Sequence, residues 1–462
     1  MNKKPMMQEA LQRSKSSTIA RTFFTTTVSV SALLATLPVA AQTEASSSAA
    51  AAAALALSGK VAFNSGDTAW MLVCTVLVLL MTIPGIILFY SGMMRQKNAL
   101  SVVAHVFAAT AVVTLVWAAI GYTFAFTTGN EWIGGMDRLW SAGLTGPRVG
   151  AHPLAPTVPE SAFFLFQLAF AIITFAIVIG ATVERTRLSA TIFFAAFWTF
   201  LVYAPIAHWV WQPNGWLSAM GHMDFAGGTV VHITAGASGL VAAWVIGPRR
   251  GFGTEPMVPH NLMLTVLGAG LMWAGWFGFN GGSAFESGSR AVGALLATQI
   301  AACAGAFVWG LSEFVHRGKF SVLGMATGAI AGLIAITPAS GFVGELGAAG
   351  IGSVSGIVCF IAVTRFKSMT GIDDSLDVFA LHGVGGLIGT ILTPVFALKE
   401  IAPITATVLT NLTGGLAVAA YAAGMTWLVL QLVKPLAGLR VSADEERVGL
   451  DISQHGEMLS NK

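Results

Sequence analysis

Charge is what this chain has least of. Of 462 residues only 10% are Asp, Glu, Lys or Arg, against about a quarter in an ordinary soluble protein. That is too little to cover the surface of a soluble chain of this length. The net charge is +3 and no basic stretch alternates with aromatics, so nothing points to nucleic acid. Cysteine is nearly absent too. Cys74, Cys303 and Cys359 each lie in an apolar run without paired spacing, which argues against a disulfide framework or a zinc site and fits small buried apolar residues. What abounds is the reverse: 55% hydrophobic residues and 52 glycines. The balance is that of a polytopic membrane protein.

Lys3, Lys4, Arg13, Lys15 and Arg21 precede a modest apolar stretch ending Leu-Pro-Val-Ala-Ala. This pattern predicts a secretory signal peptide over 1–41, with an uncleaved anchor helix as the alternative. An Ala/Ser-rich lead-in follows over 42–66, read as flexible. A membrane helix needs about 20 apolar residues. Eleven such stretches follow, near 69–92, 99–126, 161–183, 189–209, 225–247, 261–283, 291–315, 321–338, 344–364, 376–397 and 404–433. The membrane domain therefore spans 67–435, and a polar tail covers 436–462.

The connectors alternate in charge. One set carries Arg95 and Lys97, Arg185 and Arg187, Arg249 and Arg250, Arg317 and Lys319, Arg365 and Lys367, then Lys434 and Arg440; the other carries only Lys60, Arg138, Arg148, Arg290 and Lys399. The positive-inside rule places the first set in the cytoplasm. The expected fold is an all-α membrane protein with eleven transmembrane helices, N-terminus outside and C-terminus inside, in the cytoplasmic membrane. The long outer connector, 127–160, holds Trp132 and Trp140, suited to the headgroup level. The charged run Asp444 to Arg447 reads first as a solvated tail.

Two stretches share one form. Asp224-Phe-Ala-Gly-Gly-Thr-Val-Val-His232 and Asp374-Ser-Leu-Asp-Val-Phe-Ala-Leu-His382 each place a His eight residues after an Asp. Eight helical residues rise about 12 Å, so each imidazole is expected near the bilayer centre, reached from opposite sides. Spans one to five and six to ten run in opposite senses. The repeat is what two inverted five-helix units plus one extra helix would leave, with the site where they meet. A buried histidine can simply be satisfied by a neighbour; two at matched depth point to a cavity. Burial penalises a charged imidazolium, so a neutral pair sharing one hydrogen bond is expected. Asp224 and Asp374 suit helix caps, and Asp224 at an outer mouth can also attract a cation. His105 lacks a partner of this kind, and His152, His208, His222, His260, His316 and His455 fall in or beside connectors. Gly385 and Gly389 have the spacing of close helix contact in lipid.

Five motifs stand out: Met81-Thr-Ile-Pro-Gly-Ile, Glu184-Arg-Thr-Arg-Leu-Ser, the Asp224–His232 stretch, Gly275-Trp-Phe-Gly-Phe-Asn-Gly-Gly-Ser283 and His382-Gly-Val. By these motifs the chain resembles, from about Asp67 to Glu457, the ammonium transporter family (Amt/Mep/Rh). The resemblance implies a homotrimer with one conduction path in each subunit. It implies an outer cation site of Phe166, Phe170, Trp211 and Ser283, supported by Asp224. Aromatic faces attract a cation, and a serine hydroxyl accepts a hydrogen bond from one. It implies a gate of stacked Phe170 and Phe279, and His232 and His382 as twin pore histidines. It implies a cytoplasmic tail, Gly438 to Glu457, that meets a P-II-type signal protein. No cofactor and no enzymatic step is called for. Ammonium or ammonia transport is thus the leading expectation. An ammonium sensor acting through a cytoplasmic partner is the alternative. A metalloenzyme ranks last, because metals usually need three or four ligands and two histidines stand alone.

Overall fold

The computed structural model describes residues 63–146 and 149–459. The expected signal peptide, most of the lead-in and Arg148 lie outside the described residues. Among the described residues no strand forms, and ten helices are long and apolar enough to cross a membrane. They are α1 (Ser65–Met93), α2 (Gln96–Phe126), α3 (Glu160–Gly180), α4 (Leu188–Ala219), α5 (Gly228–Ile246), α6 (Leu262–Gly282) and α7 (Ser289–Arg317), then, after a shorter apolar helix α8 (Val322–Ile336), α9 (Glu345–Thr370), α10 (Phe379–Phe396) and α11 (Val408–Ala437). The stretch expected over 321–338 is therefore helical for only 15 residues, because the chain breaks into turns from Thr337 to Phe342.

Side chains start several of these helices. Asn64 accepts from the N–H groups of Gly66 and Asp67 at the head of α1. Asn261, Ser321 and Thr407 cap α6, α8 and α11 in the same way, satisfying donors that a helix leaves free at its start. Within α1, Pro84 lacks an N–H, and the helix widens into a π-turn over Met81–Ile86, the usual response to a broken ladder.

Helices α3 and α5 form the middle. In each, 89% of the apolar window is buried inside the protein, against 39% for α2, α7 and α9. Among the described residues Cys74 and Cys359 are buried as expected, but Cys303 is exposed on the outward face of α7. An apolar environment in a membrane protein includes its lipid-facing surface, so an apolar run does not by itself place a side chain in the core.

The basic connectors gather at one end. Arg249 binds Asp373 through Nη2 at 2.8 Å and Glu184 through Nη1 at 3.2 Å, and Arg95 binds Glu184 at 2.8 Å. Burial works to raise the Asp373 carboxyl, but hydrogen bonds from Arg249 outweigh it and hold the group at about 2. Burial pushes the Arg185 guanidinium down to about 10, while it donates to the carbonyls of Gly247 and Asp373, both at 2.6 Å. The tail returns to this end. Ser442 and Glu445 form a capping box for α12 (Ala443–Val448), and α13 (Leu450–His455) follows. Glu446 pairs with Arg440 at 2.7 Å, and Asp451 accepts from the N–H groups of Leu100 and Ser101 at 3.1 and 2.7 Å. Both acids are 2% exposed and so packed rather than solvated, whereas Asp444 and Arg447 of the charged run stay exposed.

Candidate functional site

The two histidine turns are shorter than the spacing suggests. The helix of α5 opens at Gly228 and that of α10 at Phe379, so His232 and His382 lie only four and three residues from their helix starts, a rise of about 5 to 6 Å. The expected 12 Å is a miscount of what is helical. Asp224 folds back over its own turn: Oδ1 accepts from Gly227 and Gly228 at 2.8 and 2.7 Å, and Oδ2 from Thr229 and Val230 at 2.8 and 3.0 Å. Gly227 permits this with φ of 112°, a left-handed backbone that side chains resist. Asp374 caps α10 through Phe379 N–H at 2.7 Å, and Asp377 takes the left-handed position with φ of 57°.

The turns nevertheless bring the rings together. His382 Nδ1 lies 3.2 Å from His232 Nδ1, with ring centroids 5.2 Å apart. Two nitrogens at that distance share one hydrogen, so one ring donates and the other offers its lone pair; two imidazolium ions would meet hydrogen to hydrogen. Glycine makes the approach possible. A Cβ on Gly236 would sit 2.3 Å from Gly383 N and Cα, and one on Gly386 would sit 2.8 Å from Gly228 O and 2.9 Å from His232 Cβ. Each is four residues past its histidine. The glycine pattern His-x-x-x-Gly is present in both stretches, and it was readable once the Asp–His match was seen.

On one side of the pair stands a column of rings. Phe166 and Phe170, one turn apart on α3, have centroids 4.8 Å apart. Phe170 stacks on Phe279 at 4.1 Å and 17°, and Phe279 lies 6.0 Å from His232 at 21°. Trp211, at the bend of α4, meets Phe170 edge-on at 5.9 Å. Its indole N–H donates to the carbonyl of Asp224 at 2.9 Å. Both carboxylate oxygens of Asp224 already hold backbone N–H groups, so its bearing on the neighbouring rings runs through that carbonyl. Ser283 follows the last turn of α6 and donates to Phe279 O at 2.9 Å, which leaves its lone pairs free to accept. Phe166, Phe170, Phe279 and His232 are all at most 1% exposed.

On the other side lies a small cavity of about 20 Å³ bordered by His382, Leu381, Trp276, Tyr90, Ile86 and Met81. That is room for about one water-sized molecule. Its lining is almost wholly apolar, and His382 brings the ring nitrogens.

Two residues of the site went unread in the sequence. Trp276 stacks on His232 at 5.4 Å and 27° and is fixed by its N–H on Thr337 Oγ1 at 2.9 Å. It sits three before Phe279 in the quoted glycine-rich motif, on the same helix face, which was a usable signal. Phe285 braces Phe166 at 6.1 Å and Phe163 at 5.2 Å from a left-handed backbone with φ of 58°; nothing local marks it. His105 bonds Thr191 Oγ1 at 2.7 Å, and His208 bonds the carbonyls of Ala125 and Asn130 at 3.1 and 2.6 Å, so both are satisfied structural residues. Among the described residues no group of three or more His, Cys, Asp or Glu side chains could hold a metal ion.

A buried ring column leading to paired imidazoles, set among ten apolar spans, belongs to a multi-pass membrane protein. The profile of the Ammonium Transporter Family matches residues 69–459, and the chain belongs to that family. The chain is 45% identical over 401 residues to "Ammonium transporter" of Bacillus subtilis, covering 85% of this chain and 98% of that one. Among solved structures, Saccharomyces cerevisiae Mep2 superposes with a TM-score of 0.76 at 36% identity, covering 83% of this chain and 88% of that one. A structure described as "Sensor Amt Protein" superposes with a TM-score of 0.77 at 30% identity, covering 84% and 98%. The curated relatives found are named as ammonium transporters rather than as enzymes.

Proposed function

We propose that this protein carries ammonium across the cytoplasmic membrane by stripping it of a proton inside the chain. The observation that carries the reading is the 3.2 Å contact of His232 and His382 directly beneath the stacked Phe170–Phe279 pair. Phe166, Phe170, Trp211 and Ser283 form the outer recruitment site: the rings attract the cation and the serine hydroxyl accepts one of its hydrogens. Phe170 and Phe279 close the way below. An ion is penalised in the apolar conduit that follows, so ammonium gives up its proton near the gate. Ammonia passes beside the imidazoles, and the proton follows through the pair, each ring accepting on one nitrogen as it releases from the other. Potassium has no proton to lose and is refused without a fitted cage.

The same reading includes eleven spanning helices, with α8 the short one, and α1–α5 and α6–α10 as inverted units. The N-terminus is outside after removal of 1–41, and the packed tail and basic connectors face the cytoplasm. The assembly is a homotrimer, and the tail end is where a P-II-type partner docks. The names of the relatives favour transport over sensing.

The test is current in proteoliposomes on a solid support after ammonium pulses, with potassium as control. Wild type gives ammonium current and none with potassium. Replacing both histidines with alanine abolishes the ammonium current or admits potassium. Unchanged current and selectivity in that variant would overturn the proton-relay step.

A further inference from the structure

We propose that Glu160, Arg138 and Tyr122 form a positioning clasp that sets how tightly the outer aromatic site holds its cation. The proposal rests on the reading of Phe166, Phe170, Trp211 and Ser283 as that site. Glu160 is the first residue of α3, and its side chain is 6% exposed. Arg138, from the outer connector, grips it at both oxygens: Nε to Oε1 at 2.9 Å and Nη2 to Oε2 at 2.8 Å. Tyr122 of α2 donates to Oε1 at 3.0 Å. The backbone joins in, with Glu160 N–H on Gly150 O at 2.9 Å and Arg138 N–H on Thr123 Oγ1 at 3.1 Å. One carboxylate thus ties α2, α3 and the long connector together. A two-pronged, largely buried pair of this kind fixes geometry in a way that exposed pairs do not.

From the clasp, rings lead to the site. Tyr122 meets Phe126 at 5.8 Å. Phe126 meets Phe163 at 5.0 Å and lies nearly parallel to Trp211 at 6.5 Å and 13°. Phe163 then leans on Phe285, and Phe285 on Phe166. Trp211 is therefore backed by Phe126, the neighbour of Tyr122, and Phe166 by Phe285, which rests on Phe163. The attraction of a cation to a ring depends on the face being presented to it, so loosening these supports weakens capture while Phe279 and the histidines keep their places.

The experiment measures ammonium-evoked current against concentration for the full chain in proteoliposomes, with thermal unfolding followed in parallel. Glu160→Gln and Arg138→Gln should each raise the half-saturating concentration about fivefold, the loss of about 1 kcal/mol, with maximal current and potassium exclusion unchanged. Arg138→Lys keeps charge but not the fork and should fall between. Tyr122→Phe should shift the same way by less, and it serves if the charge variants fail to fold. Trp211→Ala is the control for the site itself. If Trp211→Ala moves half-saturation and none of the clasp variants does, the clasp is overturned while the site stands. Opposite shifts for Glu160→Gln and Arg138→Gln would replace positioning with long-range charge and also overturn it. If Trp211→Ala has no effect, the site reading fails and the clasp falls with it.

Discussion

The opening turns of α5 and α10 carry one Asp-to-His spacing and hold it in two ways. In α5 the Asp224 carboxylate takes four backbone N–H groups, and glycine fills the left-handed position. In α10 the Asp374 carboxylate takes Phe379 N–H through one oxygen, while its other oxygen is buried with no hydrogen-bond partner among the described residues. The left-handed residue there is Asp377, which pairs with Lys367 of α9 at 2.9 Å. The first turn is closed on itself. The second leans on charges from neighbouring segments, including the Asp373–Arg249 pair beside it. Surroundings differ in step: His232 lies against Trp276 and Phe279, whereas His382 borders the cavity. A repeated spacing can thus deliver two matching side chains while asking different things of the structure around each.

The comparison can be pressed hardest at the aspartates. Asp224→Ala strands four buried donors, and its cost should reach about 4 kcal/mol or more, read as a collapse of the unfolding temperature in detergent. Asp374→Ala should cost about 1–2 kcal/mol. Equal losses would erase the asymmetry. Acid is the next probe. The Asp373 carboxyl sits at about 2 in the fold, below its unfolded value near 3.9. Its contribution, about 2–3 kcal/mol, is fully present above pH ~4 and fades as pH falls toward 2. Asp373→Asn should flatten that part of the stability-against-pH curve, and a curve unchanged by the substitution would remove the charge dependence assigned to the α10 end. At the crossing, Gly236→Ala drives a methyl into backbone at 2.3 Å. It should cost about 1–3 kcal/mol and part the imidazoles, seen as lost ammonium current. Gly386→Ala, with its nearest atom at 2.8 Å, should do the same more mildly. Smallest is Lys367→Ala: its pair with Asp377 is about a fifth exposed on each side, so a loss of about 1 kcal/mol or less is expected.

Much of the helical architecture was legible because lipid imposes long apolar runs. The paired histidines were legible because the spacing occurs twice. Where the helices begin was not. An Asp that folds back over its own turn looks in sequence like the first residue of a helix, and this is why the rise to each histidine was overestimated. The partial packing of the tail escaped notice because Glu446 and Asp451 find their partners, Arg440 and the head of α2, through tertiary contact. The Arg138–Glu160 pair escaped for the same reason, since the two lie 22 positions apart in the sequence. Cys303 could not be told from Cys359, because an apolar run reads alike whether it faces core or exterior.

The void under His382, about 20 Å³, seats a single guest. On the reading proposed above, ammonia passing here forms a queue with one place in it, and a newcomer advances only after its predecessor has gone. On that same reading an amine one carbon larger must shoulder Leu381 or Met81 aside to take that place, so each added methyl group should lengthen the wait at this step whatever the outer rings contribute.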